Sequence, residues 1–405
     1  MKNERIWTKE YILLMASNFF VAVNFYILMS TSANFAIRVL GTNETQAGFG
    51  AGVFVMGSLI SRIIVSRYSA MFGFKKTLLI GIGALIVFTV LLFPVNSFAG
   101  FCIVRFCGGL TFGVNTNTLV TVMAHIIPDN RKGEGVGWFS LSQIIGMALG
   151  PYFAVSIMHT SGFRDVFLLA TLVAAAAFLV IVFIKFPESL KQATSAEIPS
   201  QGAVAPIPQE QGIWQFFERS AVKFAILCFV LYICNSNYVS FVAIYVTESG
   251  AANLSSLIFI PYAVAMFIMR PVTGKIFDKY GPNQLLVFGF IVNAAGFFLL
   301  GLGIVEAFLP SALLLGFGIS TLQGATIAVV VSEAPRRRLA IANATYYFSF
   351  DLGAAIGPVF GGRLIEQAGY GTMYYVCGAI AILCLPLYFG VLTKVFARKS
   401  NTCQE

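Results

Sequence analysis

Long apolar segments follow one another along the whole chain and are separated by short polar connections. Each segment has about the 20 residues that a helix needs to cross a bilayer. Only helices or closed β-barrels satisfy their backbone hydrogen bonds inside a bilayer, and these segments lack the alternating pattern of strands. We therefore predict an all-α integral membrane protein with twelve transmembrane helices, at about 11–37, 46–67, 77–95, 98–124, 136–158, 165–185, 221–246, 253–276, 284–304, 308–331, 340–363 and 371–393.

One long polar stretch, from Glu188 to Gln211, divides these helices into two groups of six. It is rich in proline, serine, alanine and glutamine, which is typical of a flexible linker. The segment IWQFFER (213–219) that follows could form a short helix at the membrane surface. The predicted organisation is a six-helix bundle over 1–187, a cytoplasmic linker over 188–218, and a second six-helix bundle with a short cytoplasmic tail over 219–405.

Charge is scarce and unevenly distributed. Charged residues make up 11% of the chain, whereas a soluble domain has roughly 25%. The net charge of +9 could indicate a nucleic-acid partner, but its distribution argues against one. With both termini in the cytoplasm, only three basic residues fall on the outer side, namely Arg38, Arg164 and Arg363. This distribution follows the positive-inside rule. We predict a multi-pass protein of the cell membrane, with both termini cytoplasmic and no nucleic-acid partner.

Motifs for ATP-driven or enzymatic chemistry are missing from the sequence. It contains no GxxxxGK[ST] phosphate loop, no HExxH and no GxSxG. Its two histidines and seven cysteines show no spacing typical of a metal site, and we interpret the cysteines as small packing residues. The first apolar run is long enough to be a full span rather than a cleaved signal. We expect no enzyme activity, no metal and no bound cofactor.

The two halves repeat each other in sequence. Residues 62–76 align with 270–284 at an offset of 208, and 127–151 align with 334–358 at an offset of 207. Repeated halves of this kind are typical of secondary transporters, in which they alternate access to a site near the membrane midplane. The repeat therefore predicts two pseudo-symmetric bundles that transport a small solute.

The loops after the second and eighth spans carry a motif in which the chain resembles the Major Facilitator Superfamily. Its pattern is a glycine, an acid four residues on and a second glycine three further, with basic residues nearby. In the first half Ser66 replaces the first glycine and Ala70 replaces the acid. The resemblance implies twelve helices in the Major Facilitator fold and a gating role for Arg67, Gly73, Lys75, Gly274, Asp278 and Gly281.

A second motif lies in the fifth span and resembles a signature of drug:proton antiporters, which favours export over uptake. It consists of small residues and a proline and is repeated in the eleventh span; the residues are Gly137, Gly146, Gly150 and Pro151, then Gly353, Gly357 and Pro358. Small residues let transmembrane helices pack closely, and proline permits a bend. We expect helix eight, or the symmetric partner, to approach this face and to slide on it; static packing is the alternative.

Asp351 and Arg105 are the main candidates for proton coupling. Asp351 is the one acid near the middle of a span, where a charge costs ~2.5–3.5 kcal/mol on the mildest scale, and its repeat position holds Ile144. It could take up and release a proton, or form an ion pair with Arg62 or Arg270. The resemblance ties Arg105, followed by Gly109, to proton response or substrate binding. Its alternative is an arginine near the outer interface, bonded to carbonyls.

Polar amides and aromatic residues lie mainly in spans one, four, seven and ten, which line the central cavity in the resembled fold. An amide in lipid needs a partner, so a water-filled cavity is a favourable place for it. Each aromatic residue taken alone could instead pack or face lipid. The predicted cavity residues are Asn18, Asn24, Tyr26, Asn115, Asn117, Asn235, Asn237, Tyr238, Gln323 and Tyr347.

Three functions are consistent with these features. The first is proton-coupled efflux of small amphipathic drugs or metabolites by alternating access. The second is import of a sugar or other small solute on the same fold. The third is a membrane receptor that does not transport. The first combines the antiporter-type motif with Asp351, and it implies a monomer with a small-molecule substrate, the lipid bilayer as its surroundings and protons as the coupling ion.

Overall fold

The computed structural model describes residues 7–128, 131–184, 214, 217–335 and 338–391. Side chains at 63–72, 132–134, 278, 339–340 and 390–391 are outside this description. Most of the predicted linker and the C-terminal tail therefore lie outside the described residues. Every regular element in the described part of the chain is helical, which confirms the predicted all-α class.

The chain divides into two compact units, Met1–Ala203 and Val204–Glu405. The helices of the first unit are α1 (Lys9–Arg38), α2 (Glu44–Phe72), α3 (Phe74–Val90), α4 (Phe98–Ile126), α5 (Lys132–Thr160) and α6 (Phe163–Phe183). Those of the second unit are α7 (Arg219–Glu248), α8 (Phe259–Tyr280), α9 (Pro282–Gly301), α10 (Val305–Glu333) and α11 (Leu339–Val391), with a 3₁₀ turn at Ala252–Leu254. Nine helical segments among the described residues are long and apolar enough to cross a membrane.

Helix α11 contains both of the last two predicted spans. Its 53 residues are interrupted at Gly369, whose φ of 81° and ψ of 168° are not helical. A positive φ with an extended ψ is nearly restricted to glycine, so this residue turns the chain between two helical stretches, 339–368 and 370–391. The predicted total of twelve helices depends on counting these stretches separately.

Sequence-encoded caps set several helix starts. The side chains of Thr8, Asn43 and Ser97 accept backbone hydrogen bonds at the beginnings of α1, α2 and α4. Gly73 and Gly281, both in the predicted loop motif, have φ of 82° and 75° and join α2 to α3 and α8 to α9. A side chain at either position would be strained by about 1–3 kcal/mol.

Equivalent helix contacts occur within each of the two units, as the sequence repeat predicts. In the first unit, a Cβ on Gly109 of α4 would overlap the carbonyl of Phe54 in α2; in the second, a Cβ on Gly316 of α10 would overlap the carbonyl of Tyr262 in α8. Such close helix contacts are possible because glycine has no side chain. The equivalent glycine contacts show that each unit has the same scaffold.

The glycines of the antiporter-type motif pack against the first helix of their own unit. A Cβ on Gly150 would lie 3.0 Å from the carbonyl oxygen of Val23 in α1, and one on Gly357 would lie 2.5 Å from that of Ile233 in α7. The nearest atoms around Gly146 also belong to α1, so the neighbour here is α1 rather than the expected eighth helix. Nothing lies within 4 Å of a Cβ built on Gly137.

Candidate functional site

Asp351 lies in the first stretch of α11 with only 5% of its surface exposed. It is close enough to Cys228 of α7 for an electrostatic interaction, and Cys228 lies near Tyr346. Both neighbours are buried. The structure therefore places the predicted acid inside the helices of the second unit, within electrostatic range of Cys228.

A chain of hydrogen bonds begins at Tyr346 and runs through α10 to α8. The Tyr346 hydroxyl lies 3.1 Å from Oγ1 of Thr326 and 3.3 Å from the carbonyl oxygen of Gln323. The Gln323 side-chain oxygen accepts a hydrogen bond of 2.8 Å from Nη1 of Arg270. Arg270, considered above as an ion-pair partner for Asp351, is thus held by Gln323.

Arg105 lies in α4 of the first unit with 2% of its surface exposed. Its guanidinium carbon is 4.4 Å from the ring centre of Phe54, a cation–π contact between α4 and α2. None of its three guanidinium nitrogens has a hydrogen-bond partner among the described residues. Among the described residues no carbonyl accepts a hydrogen bond from Arg105, so the alternative of an arginine bonded to carbonyls is wrong, and the two proton-coupling candidates belong to different units.

Several predicted cavity residues make hydrogen bonds between helices of one unit. Asn18 donates to Oγ of Ser142 at 2.8 Å, and Asn24 donates to the carbonyl of Ala170 at 2.9 Å. In the second unit, Asn235 accepts from the Tyr262 hydroxyl at 2.8 Å, and Tyr238 donates to the carbonyl of Ile258 at 3.0 Å. Each bond satisfies one polar group of a side chain that we expected a water-filled cavity to satisfy. Their role as cavity lining stays a prediction.

The remaining cavity candidates differ in exposure. Asn115 is buried against Gly81 of α3, and the amide of Asn237 donates to the carbonyl of Ile233 at 2.8 Å. The partly or fully exposed candidates are Tyr26, Asn117, Gln323 and Tyr347. Tyr347 is the most open of them, with 43% of its surface exposed.

Comparison with known families decides what kind of protein carries this arrangement. A family model described as the Major Facilitator Superfamily matches residues 14–303 and 224–402. The chain belongs to the Major Facilitator Superfamily. This is the family that the loop and glycine motifs resemble. The chain is therefore a multi-pass membrane transporter.

Curated relatives within the superfamily include drug exporters. The chain is 26% identical over 381 residues to the multi-drug resistance efflux pump PmrA of Streptococcus pneumoniae, covering 89% of this chain and 91% of that protein. It is 23% identical over 300 residues to the multidrug resistance protein MdtG of Salmonella schwarzengrund, covering 70% and 69%. A solved POT family transporter in complex with 5-aminolevulinic acid superimposes with a TM-score of 0.78 at 15% identity, over 95% and 96% of the two chains, which shows the shared fold.

The loop motif of the superfamily makes a specific contact in the first unit. Nζ of Lys75 donates to the carbonyl oxygens of Val182 at 3.1 Å and Ile184 at 2.9 Å, at the C-terminal end of α6. A cation at this end also interacts favourably with the helix dipole. Gly274 lies in α8 with open space around it, and the side chains of Arg67 and Asp278 are outside the description.

The hydrogen bonds of Lys75 predict that its substitution lowers protein stability, whereas substitution of the neighbouring Lys76 does not. Lys75→Met removes two charge-assisted hydrogen bonds, so we expect a loss of about 1–3 kcal/mol and a lower melting temperature in detergent. Lys76→Met, which changes an exposed lysine in the same turn, should leave the melting temperature unchanged. If Lys75→Met lowers transport at unchanged stability, the predicted gating role is supported and the anchoring role is wrong.

Sequence reasoning missed an ion pair near the start of the second unit. Nε of Arg338 lies 2.6 Å from Oε2 of Glu218, and the two side chains are 11% and 9% exposed. The two residues are far apart in sequence and no spacing rule connects them. The one available signal was that Arg338 repeats Arg131 at the offset of 207.

Proposed function

We propose that this protein is a proton-coupled exporter that exchanges protons for small amphipathic molecules by alternating access. The observation that carries the proposal is the burial of Asp351, a carboxyl group with 5% exposure inside a membrane-spanning helix. Ionisable groups in such positions are rare, costly and commonly part of ion or proton pathways. A carboxyl group there can be neutral with its proton and charged without it, which gives two states with different preferred contacts.

The surroundings of Asp351 support a coupling role. Tyr346, Thr326, Gln323 and Arg270 form a continuous set of hydrogen-bonding contacts across three helices. Cys228 lies within electrostatic range of Asp351 and near Tyr346, which belongs to this set. The Ile144 that occupies the repeat position shows that the shared scaffold does not need an acid there. The polar chain therefore offers a route by which protonation changes helix packing.

Export as the direction is supported by two observations. Relatives that cover most of the chain are named multi-drug efflux pumps. The glycine–proline signature that resembles drug:proton antiporters is present in both units and forms real helix contacts at Gly150 and Gly357. The partly exposed aromatic and amide candidates, such as Tyr26, Tyr347 and Asn117, suit amphipathic substrates because they combine apolar area with hydrogen bonding.

The test uses everted membrane vesicles from a strain that lacks its own drug pumps. An acid-inside pH gradient is imposed, and cationic, neutral and anionic amphipathic dyes are added one at a time. We expect at least one class to collapse the gradient when the wild-type protein is present. Asp351→Asn should abolish the collapse and Asp351→Glu should retain part of it. Asp165→Asn, at an exposed acid in the first turn of α6, is the matched control and should behave as wild type.

Each other outcome separates an alternative from the proposal. Uptake of a solute by whole cells, with no dye-driven change in vesicles, would support an importer. Binding of a dye without any flux would support a receptor. Full gradient collapse by a well-expressed Asp351→Asn variant would remove Asp351 from the coupling step.

A further inference from the structure

A groove of about 630 Å³ lies at the end of the first unit where α1 and α3 end and α6 begins. Its wall includes Phe35, Val39, Phe93, Phe163, Arg164 and Phe167. Small-molecule sites in proteins have volumes of about 300–1,000 Å³ and combine an apolar wall with a few polar groups. The groove has both properties, because Arg164 is the charged residue in a lining whose other side chains are apolar.

Aromatic contacts hold the wall of the groove in place. The ring centre of Phe35 lies 5.3 Å from that of Phe163 and 5.1 Å from that of Phe167, and the Phe167 ring lies 5.9 Å from that of Phe93. These edge-on contacts join α1, α6 and the segment after α3. Phe35 and Phe167 are buried, whereas Phe93 is 39% exposed. The wall is therefore a formed apolar surface against which a hydrocarbon chain can pack.

Exposed apolar faces of α3 and α6 lead to this groove. The exposed residues include Ile80 and Val87 on α3, and Leu168 and Leu172 on α6. Residues spaced by four or seven positions share one face of a helix, so Arg164 stands at the end of the same face as the two leucines. In a membrane-spanning chain, exposed apolar faces of this kind mark contact with lipid. A ligand can therefore reach the groove from within the bilayer.

Helix stability does not explain Arg164. It is the second residue of α6, where the helix dipole disfavours a cation. Two of the three basic residues predicted on the outer side stand beside this groove, since Arg38 directly precedes Val39, and both arginines are exposed. Among the described residues, no acidic side chain forms an ion pair with Arg164, although Asp165 is its neighbour in the chain. Its guanidinium group is therefore available to an anion in the groove.

We propose that the groove binds one anionic phospholipid, such as phosphatidylglycerol, with the headgroup phosphate at Arg164 and an acyl chain against the phenylalanine wall. Arginine pairs well with phosphate through its planar set of N–H donors, and basic pockets between transmembrane helices suit anionic headgroups. The exposed apolar faces favour a lipid over a soluble phosphate, which would gain nothing from them. The inference goes beyond the proposed function because the lipid is neither the substrate nor the coupling ion, and its failure would leave the role of Asp351 untouched.

The test measures lipid binding to purified full-length protein in detergent, by native mass spectrometry and by melting temperature. The probes are phosphatidylglycerol, phosphatidylcholine with the same acyl chains, and glycerol 1-phosphate, which has no chains. We expect phosphatidylglycerol to bind about tenfold more tightly than phosphatidylcholine, because the choline charge offsets the attraction of the phosphate to Arg164 and Arg38. Phosphatidylglycerol should raise the melting temperature saturably, and glycerol 1-phosphate at the same concentration should not.

Variants separate this groove from lipid bound elsewhere on the protein. Arg164→Gln should weaken phosphatidylglycerol binding about tenfold and leave phosphatidylcholine binding unchanged. Arg363→Gln, at an exposed arginine of the second unit predicted on the same side, is the matched control and should bind as wild type. Val39→Trp, at a half-exposed position of the groove, should weaken phosphatidylglycerol binding by filling space while every charge stays in place. Equal affinities of the wild type for the two lipids, unchanged phosphatidylglycerol binding in Arg164→Gln or Val39→Trp, or stabilisation by glycerol 1-phosphate would overturn the proposal.

Discussion

Gly357→Ala will lower both the yield of folded protein and its melting temperature, whereas Gly137→Ala will leave them unchanged or raise them. A Cβ at Gly357 would overlap the Ser236 hydroxyl and lie 2.5 Å from the carbonyl oxygen of Ile233. The hydroxyl can move, but the backbone carbonyl of α7 cannot move without shifting the helix. Overpacking of this kind costs about 1–3 kcal/mol. The measurement is size-exclusion chromatography of a fluorescent fusion after heating in detergent.

The first unit should show the same effect more weakly. A Cβ at Gly150 would lie 2.9 Å from Cβ of Tyr26 and 3.0 Å from the carbonyl oxygen of Val23, which is tight but less severe. At Gly137 the space is open, and alanine favours a helix by about 1 kcal/mol over glycine. The expected order of damage is Gly357, then Gly150, then Gly137. A destabilised Gly137→Ala, or a Gly357→Ala as stable as wild type, would contradict close packing as the function of this motif.

The helical period explains why glycines of one motif differ. Successive residues are about 100° apart around a helix axis, so Gly146 and Gly150 share a face whereas Gly137 lies on the opposite one. The sequence alone places Gly137 on a different helix face from Gly146 and Gly150, although the motif groups all three glycines together. The sequence does not show which helix approaches that face, because small residues accept any close neighbour. The structure shows α1 in that place.

Other parts of the fold followed from the sequence to different degrees. The fourth span was predicted at 98–124 and occupies Phe98–Ile126, because a long apolar run in lipid has few alternatives to a helix. The hydrogen-bond partners of the asparagine amides could not be predicted from the sequence. Asn24 and Asn235 find partners in neighbouring helices of the same unit, and the sequence shows the need for a partner without showing which carbonyl or hydroxyl supplies it. The second half has Leu322 at the repeat position of Asn115, so the shared scaffold accepts an apolar residue there.

The ion pair between Glu218 and Arg338 leads to the second large prediction, which is that losing either partner destabilises the second unit. Both side chains are about nine-tenths buried. Removing one partner of a buried pair leaves an uncompensated charge and costs about 3–5 kcal/mol. Arg338 also donates from Nη2 to the carbonyls of Trp214 at 2.7 Å and Phe217 at 3.0 Å, so it holds the segment before α7 against the start of α11. We expect Glu218→Gln and Arg338→Met to lower the melting temperature strongly.

A double-mutant cycle separates the pair from its surroundings. If the two charges stabilise each other, the double variant loses less stability than the sum of the single variants, because it leaves no charge unpaired. Arg219→Met is the matched control: Arg219 is the next residue after Glu218, is exposed and stacks 4.8 Å from the Trp214 ring, so its loss should cost about 1 kcal/mol or less. High salt should change none of these differences much, since buried charges are weakly screened. Additive single effects, or a pair that weakens in salt as exposed pairs do, would show that this contact does not hold the segment in place.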